Sequence, residues 1–125
     1  MQSGSSHPKS REGAGLWLVK MVTGPLIIII LLIHFVVNHL IAPGGLLTYA
    51  EVIAYYRIPI IPIMEAVFVV IAVVHSLLGL RSILLDLKPS VAWLKTIDVL
   101  MVLLGAVSIT YGIRLIVVLT ARGLL

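Results

Sequence analysis

The stretch HSLLGLRSILLD, from His75 to Asp86, carries three ionisable side chains directly after an almost unbroken apolar run. Its imidazole could ligate a metal, form a hydrogen bond or pass on a proton. An ionisable side chain at the centre of a membrane costs about 3 kcal/mol on insertion scales, so it needs a partner or a task. His75 lies about twelve residues from the inner end of the run, near the bilayer centre, and is therefore the first candidate site residue.

One helix face collects the polar and small side chains of this segment. At about 100° per residue, five side chains lie within about 40° of the direction of His75, while Arg81 points roughly 120° away from it. The five are Phe68, His75, Gly79, Ser82 and Asp86. Because Gly79 has no side chain, a flat, bulky group such as a haem edge could lie against the backbone one turn from His75.

The same face could instead serve helix packing or proton transfer. Small residues one turn apart are typical of helix–helix contacts, and a histidine in mid-membrane can hydrogen-bond across such a contact. The side chains from His75 to Asp86 could also form a proton path. The residues by themselves leave packing, haem ligation and proton relay open.

A second candidate ligand, His34, lies in LLIHFVVNHL. Asn38 is one turn along on the same face and could orient a ligand or its propionate, whereas His39 is offset by about 140° and is expected to snorkel to the interface. His34 and His75 differ in depth by about six residues, or about 9 Å. Two axial ligands of one iron have nitrogens only about 4 Å apart. We therefore predict separate irons, with the missing ligands supplied by another subunit.

Three apolar segments must position these side chains. Hydrophobic residues make up 61% and charged residues 11% of the chain, against about 25% charged in soluble domains. A helix needs roughly 20 apolar residues to cross a bilayer. We predict an all-α integral membrane domain over residues 1–125, part of a hetero-oligomeric helix bundle, with a polar N-terminal segment at 1–15 and three transmembrane helices at about 16–41, 63–87 and 92–120. Between the first two, LLTYAEVIAYYRIPIIP suits a short interfacial helix and a re-entry turn.

The charges of the chain set its orientation and exclude some partners. The basic residues are scattered near the ends of apolar segments, which argues against binding nucleic acid. Lys9, Arg11, Lys20, Arg81, Lys88 and Lys95 lie on one side, and Arg57, Arg114 and Arg122 on the other. This excess predicts a cytoplasmic N-terminus. The chain has no cysteine, which excludes disulfides and iron–sulphur ligation by this chain.

Four polar residues are expected at the inner interface. Lys20 and Thr23 open the first span, while Asp86 and Lys88 close the second. Headgroup anchoring is the default role of the lysines, but a carboxylate gains little there. Glu65, Asp98 and Arg114, which lie in or near spans, receive no role; Asp98 could pair with Arg81 or Lys95.

These residues resemble a known family, the small haem-bearing membrane anchors of succinate dehydrogenase and fumarate reductase (complex II). The family motif is a histidine, then G-[LI]-R, then an aspartate eleven residues after the histidine. Its first span often reads W-L-x-x-R-x-S-G, with a histidine ten residues later and an asparagine at plus four. The matching residues are His75, Gly79-Leu80-Arg81, Asp86, Trp17-Leu18, Thr23-Gly24, His34, Asn38, Tyr56-Arg57-x-Pro59, Gly105 and Gly112.

The resemblance implies a non-catalytic subunit, closer to the hydrophobic membrane anchor of the complex than to its cytochrome b anchor. It implies a second, cytochrome b membrane anchor as partner, docked with this chain on an iron–sulphur subunit and a flavoprotein, in a prokaryotic cytoplasmic membrane. Haem b, one or two per complex, would be ligated by His75 and, in two-haem members, by His34.

In that family quinone binds near the inner interface, which carries over to Thr23 for the family's serine and to Asp86, with Lys20 a further candidate. The family arginine is Met21 here, so we expect most quinone contacts on the partner subunits. A haemless fumarate reductase anchor and a small proton-conducting or transport subunit are the alternatives.

Overall fold

The computed structural model describes residues 13–41 and 46–124, apart from the side chains of residues 37, 38 and 41. Within these ranges the chain is helical and contains no strand. Helix α1 (Ala14–Phe35) continues into a π-helical turn (Val36–Ile41), and α2 (Tyr49–Tyr55), α3 (Ile60–Asp86) and α4 (Val91–Leu124) follow. By length and composition α1, α3 and α4 could each cross a membrane. The all-α class and the three spans are therefore confirmed.

Helices α3 and α4 are longer than the predicted spans. Helix α3 begins at Ile60, three residues before the predicted start, because Pro62 lies in its first turn, where no intrahelical donor is needed. Helix α4 has 34 residues, or about 51 Å at 1.5 Å per residue. Since the hydrocarbon core is about 30 Å thick, α4 must tilt or extend beyond it. Hydropathy alone finds the apolar part of such a helix and not its ends.

Helix α2 is a short helix with a strong N-terminal cap, in the segment predicted to lie at the interface. The Thr48 N–H donates to Glu51 Oε2 at 2.7 Å, and the Glu51 N–H donates to Thr48 Oγ1 at 3.4 Å, which is a capping box. The Thr48 backbone N–H, followed by its hydroxyl, lowers the pKa of Glu51. Arg122 Nη1 donates to Tyr49 Oη at 2.7 Å, which ties α2 to the end of α4.

Helix α3 is the central helix, and α1 and α4 both pack against it. Two glycines of α4 allow a close approach: a Cβ at Gly105 would lie 2.9 Å from Leu77 Cδ1, and one at Gly112 would lie 2.8 Å from Val69 Cγ1. Small residues are typical of helix contacts in membranes because they let the backbones approach closely.

Little of the chain is buried. Among the described residues, the buried apolar side chains are Ile30, Ile61 and Ile116, and no polar side chain is buried. Most large apolar side chains of the three long helices are exposed. Lipid or another membrane chain must therefore cover most of this surface.

Candidate functional site

Helices α1 and α3 meet in an antiparallel register marked by three polar pairs. Lys20 contacts Ser82, Thr23 contacts His75, and His34 contacts Glu65. The residue numbers rise along α1 as they fall along α3. Two candidate haem ligands and two candidate quinone residues from the sequence therefore lie along one helix–helix seam.

His75 is seated against α1. Its Nδ1 lies 2.8 Å from Thr23 Oγ1, and the same hydroxyl lies 2.7 Å from the carbonyl oxygen of Val19. The ring also lies beside Gly24, where a Cβ would be 3.4 Å from His75 Cε1. Nε2 makes no hydrogen bond with the described residues. One ring nitrogen is therefore held by α1 and the other keeps its bonding capacity.

Gly79 leaves space one turn after His75. A Cβ at this position would meet nothing within 4 Å in the described part of the chain, unlike the tightly packed Gly105 and Gly112. The chain is therefore open beside Gly79, and contact with a flat group at this position stays a prediction.

Lys20 contacts a side chain of the same protein. Its Nζ donates to Ser82 Oγ at 2.6 Å, and Ser82 donates in turn to the carbonyl oxygen of Leu78 at 3.0 Å. Lys20 is therefore tied to α3, and its role in headgroup anchoring stays a prediction. Asp86, the exposed last residue of α3, is one turn beyond Ser82 and makes no hydrogen bond or ion pair with Lys20 or Thr23 in the described ranges.

His34 faces a carboxylate that sequence reasoning left without a role. Its Nδ1 lies 3.1 Å from Glu65 Oε1, with the histidine side chain 36% and the glutamate side chain 12% exposed. The pair is at ion-pair distance but not aligned as a hydrogen bond, since Nδ1 is buried and has no partner in that geometry among the described residues. The His34 ring also stacks with Phe68, with centroids 6.2 Å apart.

An open pocket of about 330 Å³ adjoins His34 and Glu65 and is also lined by Tyr55 and Tyr56 at the end of α2. Burial, followed by the nearby Glu65 carboxylate, raises the pKa of Tyr55 and of Tyr56. Both phenols therefore remain protonated and able to donate hydrogen bonds around neutral pH. Glu65 was missed because only the register between α1 and α3 brings it to His34.

The two candidate ligands lie far apart in depth. His34 is opposite Glu65, and Glu65 precedes His75 on α3 by ten residues, or about 15 Å along the helix axis. The sequence estimate of about 9 Å was too small because it assumed the span ends. Nitrogens of one bis-histidine iron are about 4 Å apart, so the larger separation strengthens the prediction of separate irons.

Three further polar residues singled out in the sequence are Arg81, Asn38 and His39. Arg81 Nε and Nη2 donate to the two carboxylate oxygens of Asp98 at 2.6 and 3.2 Å, which joins α3 to α4 and selects Arg81 over Lys95 as the partner. The Asn38 side chain, a predicted haem contact, lies outside the described residues. The His39 ring packs against Phe35, with centroids 5.2 Å apart.

Comparison with known proteins decides the family. The sequence profile described as succinate dehydrogenase/fumarate reductase transmembrane subunit matches residues 3–110. The chain belongs to this family. The succinate dehydrogenase hydrophobic membrane anchor subunit of Archaeoglobus fulgidus is 31% identical over 100 residues, which cover 80% of this chain and 85% of that protein. No solved structure shows significant similarity to the chain.

The chain is therefore a membrane anchor subunit of succinate dehydrogenase or fumarate reductase, and it is an integral membrane protein. Membership of such a complex implies catalytic subunits as partners. The motif around His75 and Asp86 led to this family correctly from the sequence.

Proposed function

We propose that the anchor holds the dehydrogenase on the membrane, ligates haem b through His75, and helps form the quinone site in electron transfer from succinate to quinone. The observation that carries this proposal is the setting of His75 in the apolar interior of α3. Its Nδ1 faces Thr23 at 2.8 Å, and its Nε2 makes no hydrogen bond in the described part of the chain. Nε2 is not among the buried, unpartnered side-chain atoms of the described residues, so a group outside this chain can reach it.

The residues present suit a haem. Imidazole is a common axial ligand of haem iron, and bis-histidine ligation of a b-type haem requires two of them. The gap beside Gly79 lies one turn from His75. When bound, haem b supplies one-electron transfer; this chain supplies a ligand, an apolar setting and one wall.

A second ligand for the haem at His75 would have to come from a partner chain. His34 is about 15 Å deeper or shallower than His75, which is too far to reach the same iron. The largely exposed apolar surface of α1 and α4 needs a cover in any case. We infer that a second, cytochrome b anchor subunit supplies the second haem ligand and covers this apolar surface. An iron–sulphur subunit and a flavoprotein complete the complex in a lipid membrane. His34 is the candidate ligand of a second haem.

The quinone site is proposed at the end of the bundle where α1 begins and α3 ends. Lys20 and Asp86 lie in this region, on α1 and at the end of α3. Thr23 and Lys20 already contact His75 and Ser82, so the exposed Asp86 carboxylate is the candidate with the greatest freedom to face quinone. We place this end, and the N-terminus, on the cytoplasmic side of a prokaryotic membrane, as the distribution of basic residues indicates.

The test is the haem content of the purified complex carrying His75→Ala. We expect the reduced-minus-oxidised spectrum to lose the b-type band of one haem, while the matched control His39→Ala, which removes an exposed imidazole, retains the full content. Full haem in His75→Ala would contradict ligation by this residue. A wild-type complex without any b-type band would favour a haemless anchor. Purification without flavoprotein or iron–sulphur chains would favour a proton-conducting subunit.

A further inference from the structure

We propose that Thr23 is a positioning residue for His75: its hydroxyl accepts a hydrogen bond from Nδ1–H, which leaves the lone pair of Nε2 for the haem iron. This inference rests on the proposed ligation of haem b by His75. It gives Thr23 a different task from the quinone contact that the family resemblance implies.

The proton count at the hydroxyl fixes the direction of the hydrogen bond. Thr23 Oγ1 has three near neighbours: His75 Nδ1 at 2.8 Å, the Val19 carbonyl oxygen at 2.7 Å and the Lys20 carbonyl oxygen at 3.4 Å. A hydroxyl has one proton to donate, and a carbonyl oxygen can only accept. Donation to Val19 is the usual bond of a threonine within a membrane helix. The lone pairs of Oγ1 are then available to Nδ1–H.

The protonation state of the imidazole follows from this bond. An iron-ligating imidazole is neutral and carries a single proton. With that proton on Nδ1, Nε2 has the free lone pair that iron requires. Histidine ligands in general donate their other N–H to an outer partner, which fixes the ring and makes the ligand more basic. For His75 this partner is the Thr23 hydroxyl of the same chain, so the hydrogen bond can form before haem binds.

The backbone next to Thr23 limits the tilt of the ring. Gly24 follows directly, and a Cβ there would lie 3.4 Å from His75 Cε1, so the imidazole edge rests close to the α1 backbone. The Thr23-Gly24 pair therefore holds the ring by a hydrogen bond and by close contact. His34 differs, because its Nδ1 faces the Glu65 carboxylate at 3.1 Å and not a neutral hydroxyl.

The experiment compares Thr23→Val with Thr23→Ser in the intact purified complex. Valine keeps the shape but removes the acceptor, whereas serine keeps the hydroxyl. Without the hydrogen bond the imidazole is a weaker donor, which disfavours ferric haem, so the midpoint potential should rise in Thr23→Val. The midpoint potential rises by about 59 mV for each tenfold fall in the affinity of the imidazole for ferric haem relative to its affinity for ferrous haem. The electron paramagnetic resonance signal of that ferric haem should change as well, and serine should restore both.

The outcomes separate this inference from the proposed function. If His75→Ala loses the haem but Thr23→Val leaves its potential and resonance signal unchanged, the positioning role is wrong and ligation stands. If Thr23→Val changes only the KM for quinone, Thr23 is a quinone contact and the inference is wrong. If the complex with Thr23→Val does not assemble, the same measurements are made on Thr23→Ala. If neither of these variants assembles but Thr23→Ser does, Thr23 has a structural role and the proposal is overturned.

Discussion

Alanine at Gly105 and at Gly112 should have different effects on the stability of the anchor, although both glycines face α3. The clash distances are nearly equal, 2.9 Å from a Cβ at Gly105 to Leu77 Cδ1 and 2.8 Å from a Cβ at Gly112 to Val69 Cγ1. The neighbours differ in what they can do. Leucine meets the new methyl with the far end of a flexible side chain, whereas valine is branched at Cβ and has one strongly preferred rotamer in a helix.

The surroundings make this difference larger. At Gly112 the Cγ2 and Cβ atoms of Val69 are also close, at 3.5 and 3.7 Å, whereas at Gly105 the next atom lies 4.0 Å away. Replacing glycine by alanine inside a helix gains about 1 kcal/mol, and overpacking costs about 1–3 kcal/mol. We expect these terms nearly to cancel for Gly105→Ala, within about 0.5 kcal/mol. For Gly112→Ala we expect a net loss of about 1–2 kcal/mol, because the helices must separate.

The assay is thermal or detergent-induced unfolding of the purified complex, with Gly15→Ala as the control, since a Cβ there meets nothing within 4 Å in the described ranges. The double variant Gly112→Ala with Val69→Ala should recover part of the lost stability, because it removes the clashing methyl groups. Equal losses at Gly105 and Gly112, or no recovery in the double variant, would refute the reasoning.

Three further predictions concern charge and cofactor. The pKa of Glu51 is lowered in the folded chain. The capping box with Thr48 should therefore stabilise α2 fully above the ordinary glutamate pKa, and this stabilisation should be lost as pH falls through the lower folded pKa. Protection of α2 from protease, measured as a function of pH in the wild type and in Glu51→Gln, tests this. A double-mutant cycle on Arg81 and Asp98 should give a coupling of about 1 kcal/mol, reduced by salt because the aspartate side chain is 44% exposed; zero coupling would show that the pair is only geometric. In a two-haem complex, His34→Ala should remove the haem that His75→Ala retains, as read from redox-resolved difference spectra, and loss of the same haem in both variants would contradict separate irons.

The sequence alone determined which segments form membrane-spanning helices and which residues share a face of a helix. An apolar run long enough to cross hydrocarbon must satisfy its backbone internally, so it has to be a helix. Helical periodicity then placed Phe68, His75 and Ser82 on one stripe, and the structure turns all three toward α1. The motif from His75 to Asp86 also identified the family, because its spacing is local to one helix.

Contacts between helices were decided only by the tertiary structure. Thr23 meets His75, Glu65 meets His34, and Arg81 meets Asp98, yet none of these pairs follows from periodicity. They depend on the axial register of neighbouring helices, which is set by side-chain packing at close approaches such as Gly112 against Val69. A shift of one turn, about 5.4 Å, would keep every apolar face in contact and pair each polar group with a different partner. Hydrophobicity specifies that helices enter the membrane, whereas packing specifies which residues face one another.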